Sequence, residues 1–409
     1  MSAQISQDMR ASGIARVIVI LKKTASGKDV TKIRSDLEKH FVTSDLSQAT
    51  ALASSSIYKG IRPPSVRYYP NLGIMMGTVT SQGLLALRTE KDVVADISGA
   101  PPISLIRPTQ TKTAQLTQKV TWGIAALEVP AVWEQGYTGE GVLVGHLDTG
   151  VDGNHPALKD AIEYFAEFDG MGREVQPSPK PYDSDEHGTH TAAIIAGRSI
   201  RGKAIGVAPG ALLASAIVIE GGEVVARVLG GMDWAVGKGV RILNMSLGFR
   251  GWWQDFLPLT RLLRQRNILP IFAVGNEGPG TSRSPGNYWQ ALSVGACDRK
   301  YNVADFSSSQ RFKRKKDPIA PDIVAPGVDI ISARPKNRYQ LMDGTSMATP
   351  HISGLAALLW EAKPDATVNQ IEQAIFDSCH IEKGMDVERA GRGIPNAPRA
   401  LAALLKSST

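Results

Sequence analysis

Short apolar runs alternate with amphipathic stretches over the first hundred residues, a pattern that predicts a small α/β unit. Strands are predicted at 16–21, 74–79 and 93–97, and helices at 30–41 and 81–89. The first helix carries its apolar face at Val30, Ile33, Leu37 and Phe41. We therefore place a domain over residues 14–107 and predict that the polar residues 1–13 are disordered.

A polar stretch rich in Thr and Gln follows at residues 108–119. Its composition predicts a flexible, exposed linker, and exposed linkers are preferred sites of proteolysis. We hypothesise that the chain is cleaved here, with the new N-terminus between residues 105 and 120.

From residue 120 to 409 the pattern changes to fully apolar strands separated by turns and helices. One apolar run, 141–147, ends at Asp148 and is followed by Thr149 and Gly150. Strands that are apolar on both faces are typical of a parallel sheet covered by helices. We expect an α/β domain with a doubly wound, mostly parallel sheet and helices on both faces, whose functional residues lie at the carboxyl edge of the strands.

The composition narrows the choice of compartment and partner. Hydrophobic residues make up 43% of the chain, as in an ordinary globular protein. The apolar run at 14–21 is too short to span a membrane and lacks the order of a signal peptide. Cys297 and Cys379 lie far apart, without metal-site spacing, which is compatible with a reducing compartment. We predict a cytoplasmic protein, unless its export is unconventional.

The net charge is +7, and five cationic residues lie within 310–317. A basic cluster can bind nucleic acid or an anionic membrane. No nucleic-acid-binding motif adjoins this one, so a solvated surface loop is the favoured interpretation. We predict neither a nucleic acid nor a membrane as a partner.

Ser346 lies where the turn 344–345 leads into an apolar run, 352–360, that predicts a buried helix. A Ser at this position is most often a simple N-cap. The N-terminus of a helix also offers free N–H groups and a positive field, which suit a nucleophile whose attack creates an oxyanion. The second interpretation needs a base and an orienting acid elsewhere in the chain.

Both groups are present. His187 opens the apolar run 191–197, and Asp148 ends a predicted strand. A nucleophilic Ser requires a base that takes its proton and an acid that holds the base in one tautomer. The amide of Asn276 can donate to the oxyanion together with the N–H of Ser346. We assign catalytic roles to Asp148, His187, Ser346 and Asn276.

Five segments in this order resemble the subtilisin-like serine proteases, the subtilases: 147–152, 187–190, 244–248, 275–278 and 344–350. The resemblance covers about residues 120–405. It implies a serine endopeptidase that acts on proteins or peptides. It also implies that the domain at 14–107 is an inhibitory propeptide, which acts as an intramolecular partner and is removed by self-cleavage. An ordinary accessory domain is the alternative.

The resemblance also supplies substrate-binding residues. Segment Ser246-Leu247-Gly248 would pair by its backbone with an extended substrate, and Gly221-Gly222 would flank the other side. Gly275 and Glu277, beside Asn276, are added to this set. Glu277, with Glu220 and Glu223, could favour basic substrates, although exposed surface carboxylates are the commoner case.

The chain departs from many extracellular subtilases at a common calcium site. Ala157 stands where an Asp is expected, and the loop Arg198–Lys203 offers cationic and apolar side chains. Calcium requires oxygen donors, so we predict that this site is absent, while calcium elsewhere stays open. His187 and His190 have the spacing of metal ligands but no apparent third ligand, so we predict no metal and no cofactor.

Two other assignments stay open. A non-catalytic module could keep the fold and bind peptides in the same groove. A protease held latent by its N-terminal domain would also fit the sequence. His146, two residues before Asp148, is interpreted as a hydrogen-bonded core histidine rather than a second base.

Overall fold

The computed structural model of this protein describes residues 3–22, 30–42, 66–219 and 224–406. It separates into two compact units. Met1–Pro102 and Gln254–Leu259 form the first unit, while Ile103–Trp253 and Thr260–Thr409 form the second. The division falls before Ile103, whereas the sequence pattern predicts a domain end at residue 107.

The first unit contains a four-stranded antiparallel sheet in the order β2-β3-β1-β4. Its elements are α1 (Ala3–Ser12), β1 (Ile14–Leu21), α2 (Val30–Glu38), β2 (Arg67–Tyr69), β3 (Ile74–Thr80), α3 (Ser81–Thr89) and β4 (Val94–Gly99). Val17 and Val19 of β1 and Met75 of β3 form its core with residues of the helices. Each predicted strand and helix of this region is present, with ends shifted by a few residues.

The prediction that residues 1–13 are disordered is wrong for Ala3–Ser12, which form helix α1. The side chain of Ile5 is fully buried in the core of the first unit, and Met9, one helical turn later, packs against the same core. Two apolar side chains four residues apart form a stripe on one helix face. The stripe is too short to stand out in a polar stretch of sequence.

The second unit holds the remaining elements, except that the start of α8, up to Leu259, is assigned to the first unit. Before the large sheet come β5 (Ser104–Leu105), β6 (Gln110–Ala114), α4 (Trp122–Ala126) and α5 (Pro130–Trp133). The central region comprises β7 (Leu143–Asp148), β8 (Ile162–Glu167), α6 (His187–Ala196), β9 (Leu212–Ile217), α7 (Val224–Gly237), β10 (Ile242–Met245), β11 (Leu247–Arg250), α8 (Leu257–Gln265), β12 (Leu269–Ala273), β13 (Arg283–Ser284) and β14 (Leu292–Cys297). Then follow β15 (Gln310–Arg311), β16 (Ile319–Ala320), β17 (Ile323–Pro326), β18 (Ile330–Arg334), β19 (Arg338–Asp343), α9 (Thr345–Ala362), α10 (Val368–Ser378), α11 (Val387–Ala390) and α12 (Ala397–Lys406).

A seven-stranded sheet runs through this unit in the order β17-β14-β12-β10-β7-β9-β8, with parallel pairing throughout. From β7 the chain first forms the edge strand β8, returns to add β9 between β7 and β8, and then builds the other side of the sheet through β10, β12, β14 and β17. The order therefore reverses between β7 and β10. In open α/β sheets, ligand sites form beyond the carboxyl ends of the strands at such a switch point. Asp148 ends β7 and Ser246 follows β10.

Helices cover both faces of this sheet, as the apolar pattern predicts. His146 of β7 bonds to Thr191 of α6, and Val144, on the same face, lies in the core shared by α6 and α9. The neighbouring Leu147 points the other way, toward Gly231 of α7. Alternate residues of one strand thus pack against helices on opposite sides, which confirms the doubly wound α/β fold.

The prediction that residues 108–119 are a flexible linker is wrong for residues 110–114, which form strand β6. Residues 110–114 pair antiparallel with Tyr339–Asp343 of β19, which pairs in turn with β18. The Thr and Gln side chains that suggested a linker lie mostly on an exposed edge strand, where polar residues are usual.

Across the part of the chain that the structure describes, no helix combines the length and the apolar character that a membrane span needs. The cytoplasmic location stays a prediction.

Candidate active site

Asp148, fully buried at the end of β7, accepts hydrogen bonds on both carboxylate oxygens. Its Oδ1 receives the backbone N–H of Thr149 at 2.8 Å and Nδ1 of His187 at 2.7 Å, and its Oδ2 lies 3.3 Å from Oγ1 of Thr191. Burial alone would raise the pKa of Asp148, but the imidazole of His187 and these hydrogen bonds outweigh it and hold the pKa below its ordinary value. Asp148 is therefore an ionised acceptor in the sheet interior.

His187, the first residue of α6, is held against Asp148 by tight backbone packing. A Cβ on the next residue, Gly188, would lie 2.0 Å from the carbonyl oxygen of Gly150, so glycine alone lets the helix approach the turn after β7. Burial would lower the pKa of His187, but the charge of Asp148 and its hydrogen bond raise it above the ordinary value. The other ring nitrogen, Nε2, is buried and has no hydrogen-bond partner. It is available as a base.

Ser346 is the second residue of α9, and its side chain is fully buried. Its Oγ donates a hydrogen bond of 2.7 Å to the carbonyl oxygen of Ile106. Pro350 lies in the second helical turn, so it leaves the carbonyl of Ser346 without its i+4 donor. The hydroxyl of Ser246 approaches this carbonyl at 3.4 Å instead.

Asn276 is oriented by Thr345, the first residue of α9. The amide oxygen Oδ1 accepts the N–H of Thr345 at 2.9 Å and its hydroxyl at 2.8 Å. Two donors at Oδ1 fix the orientation of the amide, so that Nδ2 is the atom that faces the site. Nδ2 donates to the carbonyl oxygen of Arg107 at 2.9 Å. Gly275 before it has φ +120°, a conformation that a side chain would strain.

The segment Ser104–Arg107 passes through this site as an extended strand. Leu105 pairs antiparallel with Leu247, and Ser104 pairs with Gly248. The N–H of Ile106 donates to the carbonyl of Ser246 at 3.0 Å. The predicted substrate-binding residues Ser246, Leu247 and Gly248 therefore do hold an extended peptide by their backbone, and that peptide is part of the same chain.

Comparisons with known proteins agree with this geometry. The profile of the subtilase family matches residues 139–396, well over half of the chain. The chain belongs to the subtilase family. It is 36% identical to the M-protease of Shouchella clausii (strain KSM-K16) over 303 residues, which cover 73% of this chain and 74% of that protein. It is 36% identical to Subtilisin Savinase of Lederbergia lenta over 285 residues, 69% of this chain and 99% of that protein.

A third relative, the subtilisin-like protease PopC of Myxococcus xanthus (strain DK1622), is 30% identical over 385 residues, 82% of this chain and 77% of that protein. The family and these relatives confirm that this subtilase is a serine endopeptidase, a hydrolase that acts on protein or peptide substrates.

Glu277 does not present a free negative charge to substrate. Arg283 donates to its Oε1 through Nε at 2.8 Å and also through Nη2, and the N–H of Asn276 donates to Oε2 at 3.1 Å. The carboxylate is thus committed to a half-buried ion pair that braces the turn at Asn276. This pairing argues against the hypothesis that Glu277 attracts basic substrates, and the substrate preference stays a prediction. Glu220, Glu223 and the predicted substrate residues Gly221 and Gly222 lie outside the described residues.

Arg198 and His190 lie in the two segments for which the sequence raised the question of a metal, and both bond to backbone carbonyl oxygens. The guanidinium of Arg198 donates to the carbonyl oxygens of Ala196 at 3.1 Å, Ala211 at 2.8 Å and Asp160 at 2.8 Å. Nε2 of His190 lies 3.0 Å from the carbonyl of Ile330. Within the described ranges, no cluster of three or more His, Cys, Asp or Glu residues could hold a metal ion. The absence of a cofactor stays a prediction.

Sequence reasoning missed one residue that anchors His187. Oδ2 of Asp183 accepts both the N–H and the hydroxyl of Thr189 at 2.6 Å, and its Oδ1 accepts the hydroxyl of Thr149 at 2.7 Å. Asp183 therefore caps the N-terminus of α6 and links it to the turn after Asp148. The sequence could have indicated this role, because Asp183 is an acidic residue that lies just before a predicted helix.

Proposed function

We propose that Asp148, His187 and Ser346 form the catalytic triad of this endopeptidase and that its site is occupied by its own chain until the bond after Ile106 is cut. The observation that carries the proposal is the hydrogen bond from Ser346 Oγ to the carbonyl of Ile106, in a site where Asp148 bonds His187. A hydroxyl at a helix N-terminus, a peptide carbonyl and a buried acid–imidazole pair are the parts that acyl transfer needs.

In the proposed reaction, Nε2 of His187 accepts the proton of Ser346 while Oγ attacks the peptide carbonyl carbon. Asp148 holds the Nδ1–H tautomer and stabilises the imidazolium ion that forms. His187 then gives the proton to the leaving amine, and water hydrolyses the acyl-enzyme by the reverse sequence. The unpartnered Nε2 and the raised pKa of His187 both support its role as the base.

The proposed oxyanion hole consists of Nδ2 of Asn276 and the N–H of Ser346. In the uncut chain Nδ2 donates to the carbonyl of Arg107, one residue beyond the carbonyl that Ser346 contacts. The strand therefore has to shift before Asn276 can stabilise an oxyanion on Ile106. We expect the first, intramolecular cleavage to be slow, because this donor is not yet placed for the transition state.

The same contacts support restraint by the N-terminal region. The backbone bonds that Ser246, Leu247 and Gly248 offer to an extended peptide are already used by Ser104–Ile106. A substrate that binds in the same way has to displace this segment. Residues 1–106 would then act as an inhibitory propeptide, with Ile106 as its last residue after cleavage.

The basic segment 310–317 supports the prediction that nucleic acid is not a partner. Arg311 forms an ion pair with Glu388, and Arg314 lies 4.5 Å from the ring centroid of Phe312 while it donates to the carbonyl of Asp317. Part of this charge is therefore used within the fold rather than presented as a phosphate-binding surface.

Labelling with a fluorophosphonate probe tests the proposed triad. Wild type that has processed itself should label on Ser346, and the variants Ser346→Ala and His187→Ala should not. Ser353→Ala, which removes another buried hydroxyl of α9, is the matched control and should label normally. If wild type, separated from its N-terminal fragment, fails to label, the non-catalytic peptide-binding module is favoured instead.

A further inference from the structure

A chain of buried polar side chains continues the Asp148–His187 pair into the sheet. Nδ1 of His146 lies 2.9 Å from Oγ of Ser215, and its Nε2 lies 2.8 Å from Oγ1 of Thr191. Thr191 Oγ1 is in turn 3.3 Å from Oδ2 of Asp148. All four side chains are fully buried, on β7, β9 and α6. An unbroken hydrogen-bonded path therefore leads from Ser215 to His187.

Counting protons along this path selects one tautomer of His146. The hydroxyl of Thr191 has one proton and four acceptors within reach: Nε2 of His146, Oδ2 of Asp148, and the carbonyls of His187 at 3.2 Å and Gly188 at 3.1 Å. If Nε2 of His146 lacked a proton, its lone pair at 2.8 Å would be the nearest acceptor and would draw the hydroxyl away from the carboxylate.

If Nε2 carries the proton, it donates to Oγ1 of Thr191 and is no longer an acceptor. The hydroxyl of Thr191 can then donate to Oδ2 of Asp148, where the negative charge makes the hydrogen bond stronger than one to a neutral carbonyl. Ser215 completes the pattern, because its hydroxyl donates to the unprotonated Nδ1. Each donor of the path, from the hydroxyl of Ser215 to Nδ1–H of His187, then has one acceptor.

We propose that His146 is a positioning residue of this protease: a neutral imidazole, protonated on Nε2, that directs the hydroxyl of Thr191 onto Oδ2 of the catalytic carboxylate. The inference rests on the proposed roles of Asp148 and His187. It assigns His146 and Thr191 no contact with substrate. They hold the carboxylate in one rotamer, with Oδ1 toward Nδ1 of His187 and Oδ2 toward Thr191.

The surrounding charges are consistent with a neutral His146. Burial and the charge of His187, against the opposing effect of Asp148, lower the pKa of His146 to about 4. The groups that act on His187 are Asp148, Asp183 and Asp185. Burial and the positive field of His187 lower the pKa of His190 to about 3, so this ring adds no charge near neutral pH. His187, whose pKa is raised, is thus the imidazole of this group that takes up a proton first as the pH falls.

Nitrogen NMR of the full chain tests the tautomer without any need for activity. Ser346→Ala protein with ¹⁵N-labelled histidine is recorded at pH 7, and the signal of His146 is assigned by its loss in the double variant with His146→Gln. A protonated Nε2 and an unprotonated Nδ1 are expected. Protonation of Nδ1, or of both nitrogens, would overturn the proposal.

Kinetics on the self-processed enzyme test the function of the path. Thr191→Val, which removes the hydroxyl at nearly constant volume, should lower kcat by about tenfold with KM unchanged, because one charge-assisted hydrogen bond to Asp148 is lost. It should also raise the pKa of the acid limb by up to about one unit, because a less neutralised carboxylate holds the imidazolium proton more tightly. Thr191→Ser should restore both values. His146→Val should act like Thr191→Val.

A purely structural role predicts a different result. Ser378→Ala is the control, because it removes a buried hydroxyl that bonds the carbonyl of Ile375. It should lower the melting temperature and leave kcat and the pH profile unchanged. If Thr191→Val and His146→Val behave like this control while Ser346→Ala is inactive, the positioning role fails and the triad stands. If Ser346→Ala is as active as wild type, the triad itself fails.

Discussion

Ser346 Oγ donates a 2.7 Å hydrogen bond to the carbonyl oxygen of Ile106, 240 residues earlier in the chain. The hydroxyl is therefore occupied, and the peptide that occupies it is held by backbone pairing to Leu247 and Gly248. Since these bonds involve main-chain atoms, any extended peptide can make them, and pockets for individual side chains have to supply the preference. This relationship makes the bond after Ile106 the first candidate for cleavage.

The activity of the processed enzyme should depend on the ionisation of His187. The base must be neutral to accept a proton, so kcat/KM should fall as the pH drops through a pKa above the ordinary 6.5 of histidine. Asp148→Asn removes the charge that raises this pKa and the acceptor that fixes the tautomer. It should move the acid limb to lower pH and cost about 10⁴ in kcat. A pH profile of kcat/KM checks both effects, and an acid limb unmoved in Asp148→Asn would contradict them.

Removing the side-chain amide at the proposed oxyanion hole should slow turnover without weakening binding. Asn276→Leu is expected to lower kcat roughly 10²–10³-fold and to leave KM nearly unchanged, because the donor is needed chiefly in the transition state. Thr345→Val deletes one of the two donors that orient the amide and should give a smaller loss. Steady-state kinetics on one peptide series measure this. A change confined to KM would assign Asn276 to substrate binding instead.

Asp185 should contribute a modest preference for a basic residue just after the cleaved bond. Arg107, which follows Ile106, reaches Oδ2 of Asp185 with Nη1 at 3.1 Å. Both side chains are well exposed, so the pair should be weak and sensitive to salt. At a pH where His187 is neutral, Asp185→Asn should lower kcat/KM a few-fold for peptides with Arg at this position and leave the Ala counterpart unchanged. Equal effects on both peptides would rule out the preference.

Arg198 should make the loop around it independent of calcium. Its guanidinium, a fixed cation, already bonds three carbonyl oxygens. Arg198→Met should reduce the free energy of unfolding by ~1–3 kcal/mol, since three acceptors lose their donor. Substitutions in the loop Arg198–Lys203 should leave any response of the melting temperature to EDTA or calcium the same as in wild type. A calcium-dependent rise that disappears only in loop variants would contradict this account.

Much of the fold could be predicted from sequence because the apolar pattern in a parallel sheet is strong. The run that ends at Asp148 is buried on both faces, and the helix at Ser346 is apolar on every side, so each is recognisable without knowing its neighbours. The helix at Ala3–Ser12 was not predictable in this way, because its stability comes from the burial of Ile5 in a core assembled from distant strands.

The features of the site also fall into those that local sequence predicts and those that depend on distant segments. Asp148, His187, Asn276 and Ser346 belong to local motifs whose residue types and order carry the chemistry. The pairing of Ser104–Leu105 with β11 depends on segments more than a hundred residues apart, so local composition could not indicate it. The partner of Glu277 could not be predicted from sequence either, because the ion pair with Arg283 forms only when the turn between the two residues closes.

Intact-mass analysis with N-terminal sequencing of freshly purified wild type, beside Ser346→Ala, tests the central claim most directly. We expect wild type to yield a fragment that begins at Arg107 and grows in amount with time, and we expect Ser346→Ala to stay whole. A fragment of the same start in both proteins would show cleavage by another protease. A wild-type fragment that begins elsewhere would contradict the claim that Ser346 cuts the bond it contacts. Wild type that stays whole as Ser346→Ala does, even under conditions that loosen its N-terminal region, would contradict it as well.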